Sequence, residues 1–269
     1  MSKIFLIDVA RCTGCYNCQL ACKDEHCEND WTPYAAPQPL TGHFWCHVSE
    51  HVQGTIPKVK ILYISKMCAH CPDAACMDVC PQQAITRRPD GFVLIDPAKC
   101  SGCKACMEAC PYEVIYFNDD RNIAQKCTGC THLLDHGARQ PRCSEACPTD
   151  AIVFGEEEEL REKLEGATPL APGGKVWYKN IPGEFVGGTI YDPVEKEVII
   201  GGTCTLVGEG KTYETETDPY GDFWFRDLPR GGRYELTIQA QGFQTKVIPD
   251  ICTEKSVNLD DIPLEREKP

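Results

Sequence analysis

The sequence predicts an α+β protein in two parts: a repeated strand–loop–helix–strand module that carries cysteines, followed by a small all-β sandwich. Two observations carry this prediction. Eighteen of the 20 cysteines lie in the first 147 residues, and after residue 183 short alternating strands are separated by turn residues. The length of 269 residues suits two domains. We therefore predict one domain over 1–155, a helix and linker over 156–182, and a second domain over 183–269.

Sixteen of the cysteines fall into four quartets with short, regular spacing. The first and third quartets have the spacing C-x2-C-x2-C-x3-C, the second has a gap of four residues, and the fourth has a gap of twelve residues. Proline follows the last cysteine of the second, third and fourth quartets. The quartets are Cys12, Cys15, Cys18 and Cys22; Cys68, Cys71, Cys76 and Cys80; Cys100, Cys103, Cys106 and Cys110; and Cys127, Cys130, Cys143 and Cys147.

This spacing is typical of bacterial ferredoxins, in which three closely spaced thiolates hold one [4Fe–4S] cluster and the fourth cysteine binds the neighbouring cluster. Soft thiolate ligands suit iron–sulfur clusters. Zinc and disulfides are the alternatives. A zinc site takes four ligands from two pairs and does not use such a run, and disulfides are rare among cytosolic thiols. The sequence therefore favours [4Fe–4S] clusters.

Internal repetition supports a ferredoxin-like module. Residues 76–85 recur as 106–115 and as 143–152, and residues 6–15 recur as 94–103. The expected entering strands are 4–7 and 92–95, and the expected leaving strands are 84–86 and 114–117. The turn residues at 89–91 and 118–120 are suited to joining strands as hairpins.

At these cysteines the chain resembles the four-cluster iron–sulfur subunits of the dimethyl sulfoxide reductase family of molybdopterin enzymes. The resemblance covers about residues 1–155 and includes all sixteen cysteine positions. It implies a tandem of two ferredoxin-like units, each with two [4Fe–4S] clusters, in which the first quartet pairs with the fourth and the second with the third. The implied ligand sets are Cys12, Cys15, Cys18 and Cys147; Cys22, Cys127, Cys130 and Cys143; Cys68, Cys71, Cys76 and Cys110; and Cys80, Cys100, Cys103 and Cys106.

Residues 23–67 form an insertion between the first two quartets. Trp31 and Trp45 in this insertion suggest either anchors for a partner subunit or local packing. Its histidines, His43, His47 and His51, are only a weak indication of a metal site.

Basic residues beside the quartets are candidates for raising cluster potentials, although ordinary surface solvation is an equal alternative for each of them. They are Arg11, Lys23, Lys99, Lys104, Lys126 and Arg142. No role is assigned to the cysteines outside the quartets, which are Cys27, Cys46, Cys204 and Cys252.

The last part of the chain reads as a β-sandwich. The acidic segment 156–165 is expected to form one helix ended by Gly166, and the prolines and glycines of 169–174 to form a linker. The expected strands are 184–191, 198–200, 203–206, 211–217, 223–225, 233–239, 243–248 and 255–259. The motifs in 187–192 and 217–225 resemble the transthyretin-like, carboxypeptidase-regulatory type of sandwich.

Joined to a four-cluster domain, this sandwich resembles the small subunits of the pyrogallol–phloroglucinol transhydroxylase family. The resemblance implies a large catalytic partner that holds molybdopterin guanine dinucleotide with Mo or W. The hypothesis is an electron-transfer subunit with no catalytic residues of its own, in an enzyme acting on polyhydroxylated aromatics. The alternatives are a subunit of formate dehydrogenase or respiratory reductase type, and a free-standing polyferredoxin.

Charge and hydropathy exclude some other classes. The chain has 27 Lys and Arg against 40 Asp and Glu, which gives a formal net charge of −13. Nucleic acid is an unlikely partner for such a chain, because phosphate binding needs clustered basic residues. No apolar stretch approaches the roughly 18 residues of a membrane helix, and the apolar run near the N-terminus is too short for a signal peptide. We expect a cytoplasmic protein without a membrane span.

Overall fold

The chain divides into two compact units. The structure is a computed structural model and describes residues 2–267. The first unit runs from the N-terminus through Glu50 and includes Tyr63–Ile181, and the second comprises His51–Leu62 and the chain from Pro182 onwards. Within residues 2–267, none of the helices has the length and apolar character needed to cross a membrane.

The helices are short and all lie in the first unit of the described chain. They are a 3-10 helix (Val9–Arg11), α1 (Asn17–His26), α2 (Ala75–Asp78), α3 (Ala105–Glu108), α4 (Thr131–Asp135) and α5 (Arg142–Glu145). The strands before the sandwich are β1 (Lys3–Asp8), β2 (His47–Thr55), β3 (Lys58–Lys66), β4 (Ile85–Arg87), β5 (Val93–Ile95), β6 (Ile115–Asn118), β7 (Ile123–Lys126), β8 (Ile152–Glu156), β9 (Thr168–Pro169) and β10 (Val176–Lys179).

The repeated module folds as its sequence predicts. Strands β4 and β5 form one antiparallel hairpin and β6 and β7 form another, so the predicted turns at 89–91 and 118–120 are confirmed. The first and last strands of the cysteine region meet, since β1 pairs antiparallel with β8 and the rings of Phe5 and Phe154 lie 4.8 Å apart. Buried apolar side chains of β1 and β8 form the core beside the first and fourth quartets.

The predicted helix at 156–165 is wrong, and a strand that was not predicted follows the irregular segment at 170–174. Glu156 ends β8, residues 157–166 form turns, and β10 pairs in parallel with β1. Among the described residues of the acidic segment 156–165, Leu160 is the one buried apolar side chain, so a helix there would have little apolar surface to pack. Val176 and Tyr178 are both buried and explain the strand, because their alternation sets one face of β10 against the core.

The insertion 23–67 is more ordered than its composition suggests. It contains the end of α1 and the two-stranded sheet of β2 and β3. Trp45 is 1% exposed and packs against His26 with ring centroids 4.6 Å apart, so it belongs to the core and is not an interface anchor. Trp31 stacks on His132 at 4.4 Å. His43 stacks on Tyr116, as an ordinary packed aromatic side chain does.

The second unit confirms the predicted sandwich. Its strands are β11 (Glu184–Asp192), β12 (Glu197–Val198), β13 (Thr203–Gly208), β14 (Lys211–Glu216), β15 (Asp222–Leu228), β16 (Arg233–Gln239), β17 (Lys246–Cys252) and β18 (Val257–Pro263). One sheet contains β12, β11, β15 and β18, and the other has the order β14-β13-β16-β17. The strands β17 and β18 begin later than predicted. Inward-facing apolar side chains alternate along the strands and fill the space between the sheets, as Ile190, Leu206, Phe223 and Leu236 do.

The tip of the β2–β3 hairpin belongs to this second unit. Lys58 is 5% exposed, and its ammonium lies 2.7 Å from the carboxylate of Asp222 and 5.1 Å from the ring centroid of Trp224. A buried lysine requires such a partner, because an unpaired charge loses its hydration without compensation. No sequence pattern indicates this pair, since its members lie far apart along the polypeptide.

Candidate metal centres

Glycine shapes three of the four cysteine loops. Gly14, Gly102 and Gly129 each precede the second cysteine of a quartet and have φ of +68°, +74° and +67°. A side chain would not fit there: a Cβ on Gly14 would lie 2.5 Å from the Tyr63 ring, and one on Gly129 would lie 2.3 Å from the Phe92 ring. These residues let the chain turn tightly, so that neighbouring thiols of one loop lie close together.

The first and fourth quartets come together. Burial raises the pKa of the Cys12 thiol, and the neighbouring thiols of Cys18, Cys147 and Cys15 raise it further. Burial also raises the pKa of Cys22, whose thiol neighbours are Cys130, Cys127 and Cys143. The last cysteine of each quartet therefore lies beside the first three cysteines of the other quartet.

The second and third quartets also come together, and Cys110 of the third quartet lies beside the second quartet. Burial raises the pKa of Cys76 to about 11, and its thiol neighbours are Cys68, Cys110 and Cys71. Burial raises the pKa of Cys106 to about 11, with Cys100, Cys76 and Cys103 as thiol neighbours. Cys80 packs against the same apolar cluster as Cys100 and Cys106.

A cavity of about 160 Å³ has a lining that includes the four thiols of Cys68, Cys71, Cys76 and Cys110. Four thiols around a mostly apolar space fit an iron–sulfur cluster, because such clusters are held by four cysteine thiolates. Across residues 2–267, no three His, Cys, Asp or Glu side chains converge closely enough to hold a single metal ion. A [4Fe–4S] cube takes one thiolate on each iron, so its ligands surround a space and do not meet at one point.

Backbone amides donate hydrogen bonds to the sulfurs of four quartet cysteines. The donor nitrogens lie 3.3–3.4 Å from sulfur and are His70 N to Cys68, Ala84 N to Cys80, Ala124 N to Cys100 and Gly129 N to Cys127. Such bonds stabilise thiolates and influence the reduction potential of a bound cluster.

Lys126 differs from the other basic residues beside the quartets. It is 3% exposed, and its ammonium donates to the carbonyl oxygens of Val93 and Cys127. No ion pair within residues 2–267 includes it, and its charge lowers the pKa of Cys76 against the effect of burial. The other candidates are more exposed or have other partners: Arg11 is 53% exposed beside Asp150, and Lys99 is 61% exposed beside Asp96.

Cys46 was assigned no role from the sequence, yet it lies among quartet cysteines. Its thiol is 1% exposed and contacts the thiols of Cys18 and Cys143, and these hydrogen bonds raise its pKa well above the ordinary value. The hydrogen bond from Cys46 lowers the pKa of Cys18 to about 7. Cys204, by contrast, is buried in the sandwich core, and burial raises its pKa to about 12.

Two of the sixteen quartet cysteines, all of which lie in the described chain, are exposed. They are Cys15 in the first quartet and Cys103 in the third. Cys22, Cys127, Cys130 and Cys143 are all buried. The thiol groups therefore approach the surface at two separate loops.

Two domain families match the chain. The 4Fe-4S dicluster domain matches residues 59–157, and the carboxypeptidase regulatory-like domain matches residues 186–264. These matches agree with the predicted ferredoxin-like and sandwich parts.

Among curated relatives, the pyrogallol hydroxytransferase small subunit of Pelobacter acidigallici is 35% identical over 96% of this chain and 98% of its own length. The arsenate respiratory reductase iron-sulfur subunit of Shewanella sp. (strain ANA-3) is 43% identical over 42% of this chain and 44% of its own length. The B subunit of the anaerobic dimethyl sulfoxide reductase of Escherichia coli (strain K12) is 39% identical over 50% of this chain and 64% of its own length. The match to the two reductase subunits therefore spans less than two thirds of their length.

Proposed function

This protein belongs to the family of the pyrogallol hydroxytransferase small subunit, among the iron–sulfur subunits of dimethyl sulfoxide reductase-type molybdopterin enzymes, and on this premise we propose that it conducts electrons through four [4Fe–4S] clusters. The crossed thiol sets carry the proposal. Cys147 lies beside the first quartet and Cys22 beside the fourth, which is the arrangement expected of paired clusters.

The proposed ligand sets are those that the family resemblance implies. Three sets are supported by thiol neighbours in the fold, and the set of Cys80, Cys100, Cys103 and Cys106 by close spacing and common packing. When bound, the clusters would supply one-electron oxidation and reduction. The chain's own residues hold the thiolates at fixed positions, donate amide hydrogen bonds to sulfur and exclude water from the buried sets.

The exposed loops suggest where electrons enter and leave. Cys15 and Cys103 belong to different proposed sets, whereas the set that contains Cys22 is entirely buried. Electron transfer needs a redox partner close to a cluster, so we expect one partner near the Cys15 loop and another near the Cys103 loop. No acid, base or nucleophile of this chain is assigned to catalysis.

We propose a large partner subunit that holds molybdopterin guanine dinucleotide with Mo or W and acts on a polyhydroxylated aromatic. The full-length match to a pyrogallol hydroxytransferase small subunit supports this substrate class, because it includes the sandwich as well as the cysteine region. The reductase subunits match about half of this chain or less, and they favour the second candidate, a reductase-type complex.

Metal analysis tests the cluster proposal. Anaerobically purified protein should contain about sixteen iron atoms and sixteen acid-labile sulfides per chain, four of each for every cube. Cys76→Ala should lower the iron content, whereas Cys204→Ala, at a buried thiol of the sandwich, should leave it unchanged. A colourless protein loaded with zinc would refute the proposal.

Purification from the native host tests the partner. A complex with a large subunit should contain Mo or W and should convert pyrogallol-type substrates in preference to arsenate or dimethyl sulfoxide. A chain that is isolated alone and fully loaded would instead support a free-standing polyferredoxin. The cytoplasmic location stays a prediction, which cell fractionation tests.

A further inference from the structure

His70 occupies a position that is glycine in the other three quartets. The second cysteine of each quartet is preceded by Gly14, Gly102 or Gly129, but by His70 in the second quartet. Like the glycines, His70 has a positive φ, of 47°. This conformation is uncommon for residues other than glycine, although histidine adopts it more readily than most. The side chain is 1% exposed, so it is held by burial.

One ring nitrogen of His70 is occupied by strand β5. The amide of Val93 lies 3.1 Å from Nδ1. In the β4–β5 hairpin, Arg88 N–H donates to Phe92 O and Asp96 N–H donates to Ala84 O. Bonded and non-bonded pairs alternate along antiparallel strands, so Val93, which is paired with Arg87, directs its N–H and C=O groups away from β4. The carbonyl oxygen of Val93 also lies 3.2 Å from Nδ1, and it already accepts from the ammonium of Lys126. In the described chain the Val93 amide has no acceptor other than Nδ1, so we assign Nδ1 as the acceptor and the ring hydrogen to Nε2.

The other nitrogen has no protein acceptor. Among residues 2–267, the buried Nε2 atom of His70 has no hydrogen-bond partner. His70 also lines the cavity formed by Cys68, Cys71, Cys76 and Cys110. A buried N–H group without an acceptor is unfavourable, and such groups in folded proteins call for an explanation.

We propose that the Nε2–H group of His70 donates a hydrogen bond to sulfur of the cluster held by Cys68, Cys71, Cys76 and Cys110, and so raises the reduction potential of that cluster. The inference rests on the proposed function. A donor to sulfur stabilises the reduced cluster more than the oxidised one, because reduction adds negative charge. Only an electron enters the cluster, and the histidine keeps its proton.

The position of His70 gives this effect a role in electron transfer. Cys68 and Cys127 are neighbours and belong to different cluster pairs, so the cluster beside His70 lies where electrons cross from one pair to the other. Three basic groups face His70, namely Lys126, Lys175 and Arg87. They act in the same direction as the hydrogen bond.

Two substitutions separate the Nε2–H group from the rest of the side chain. His70→Asn places its carbonyl oxygen near the Nδ1 position, keeps an acceptor for the Val93 amide and suits a positive φ, but removes the group at Nε2. His70→Gln places an amide N–H near the Nε2 position. Asn should lower the potential of one cluster by about 59 mV, a tenfold change in its one-electron reduction constant, and Gln should restore most of that shift.

Potentiometry of the anaerobically purified full chain, followed by electron paramagnetic resonance, measures this difference. Equal shifts for Asn and Gln, no shift for either, or shifts of all four clusters would overturn the inference. A loss of thermal stability without a potential shift would also overturn it and would mean that Nε2–H packs on the Phe92 ring, 4.8 Å away. If neither full-length variant folds, His70→Gly provides the same measurement, with the residue of the other quartets and the same expected decrease. Wild-type protein without clusters would refute the proposed function instead.

Discussion

The ion pair between Lys58 and Asp222 offers a quantitative test of how the β2–β3 hairpin is held in the second unit. At the 2.7 Å separation of the two charged groups, the Coulomb attraction is about 6 kcal/mol at an effective dielectric constant of 20. The desolvation of Lys58, which is 5% exposed, cancels much of this attraction. The net value of the pair is therefore small, whereas the cost of removing one member is large.

Asp222→Asn should destabilise the second unit by about 3 kcal/mol, because it leaves a buried ammonium without a counter-charge. The double substitution Lys58→Met with Asp222→Asn should cost less than Asp222→Asn alone, since methionine packs without a charge against Trp224. Hydrogen–deuterium exchange of amides in β11 and β15 in increasing urea measures the local free energy of unfolding. Glu214→Gln, at an exposed carboxylate of β14, is the control.

A loss of stability below about 1 kcal/mol for Asp222→Asn would refute this reasoning, because a loss of that size is typical of a solvent-exposed ion pair. Additive effects of the two substitutions would refute it as well, since they would show that the charges do not interact.

Three further predictions concern charge, pH and loop geometry. Lys126→Met should lower the reduction potential of at least one cluster by about 59 mV or more, which is a tenfold change in the one-electron reduction constant. Lys99→Met, at an exposed lysine, is the control and should leave all potentials nearly unchanged in potentiometry. Equal shifts in the two variants would contradict a role for burial. Burial by itself raises the pKa of Asp222, but the bonds from Lys58 and Thr189 hold this pKa below its ordinary value. The ionised Asp222 therefore stabilises the folded state above a pH of about 4, and this stabilisation is lost as the pH falls through the lower pKa of the folded state. Urea unfolding of the wild type and Asp222→Asn between about pH 2 and 7 should show a difference in stability that shrinks as the pH falls through this transition, whereas a constant difference would contradict the assignment. Gly129→Ala should reduce the iron content, since its Cβ would lie 2.3 Å from the Phe92 ring. Gly137→Ala is the control, because Gly137 also has a positive φ, of +92°, but has open space around it, and it should leave the iron content unchanged. Similar iron contents in the two variants would exclude the clash as the cause.

Local sequence patterns predicted most elements but not all of their surroundings. The β4–β5 and β6–β7 hairpins and the sandwich strands were predicted because alternation and turn residues act over a few positions. Strand β10 was not predicted because its four residues are too few to show a clear alternation. Its partner β1 also lies at the other end of the cysteine region, so no local pattern indicates the pairing. The helix at 156–165 was predicted from acidic composition, which ignores the need for an apolar face.

His70 shows the same limit within the candidate site. The sequence shows His70 before Cys71, where the other three quartets have glycine, but it does not show what the imidazole contacts. Only the fold shows that Nδ1 meets Val93 and that Nε2 is left without a partner in the described chain. The partners of a buried imidazole come from distant strands, which a local pattern does not specify.

The sequence by itself determined the number of thiols, their grouping into quartets and the alternation of the sandwich, because these depend on spacings of two to twelve residues. The tertiary structure decided that Cys147 lies beside Cys12, that Lys126 and His70 are buried near the thiols, and that Lys58 meets Asp222. These features depend on burial and on contacts between distant segments, which arise only when the chain packs.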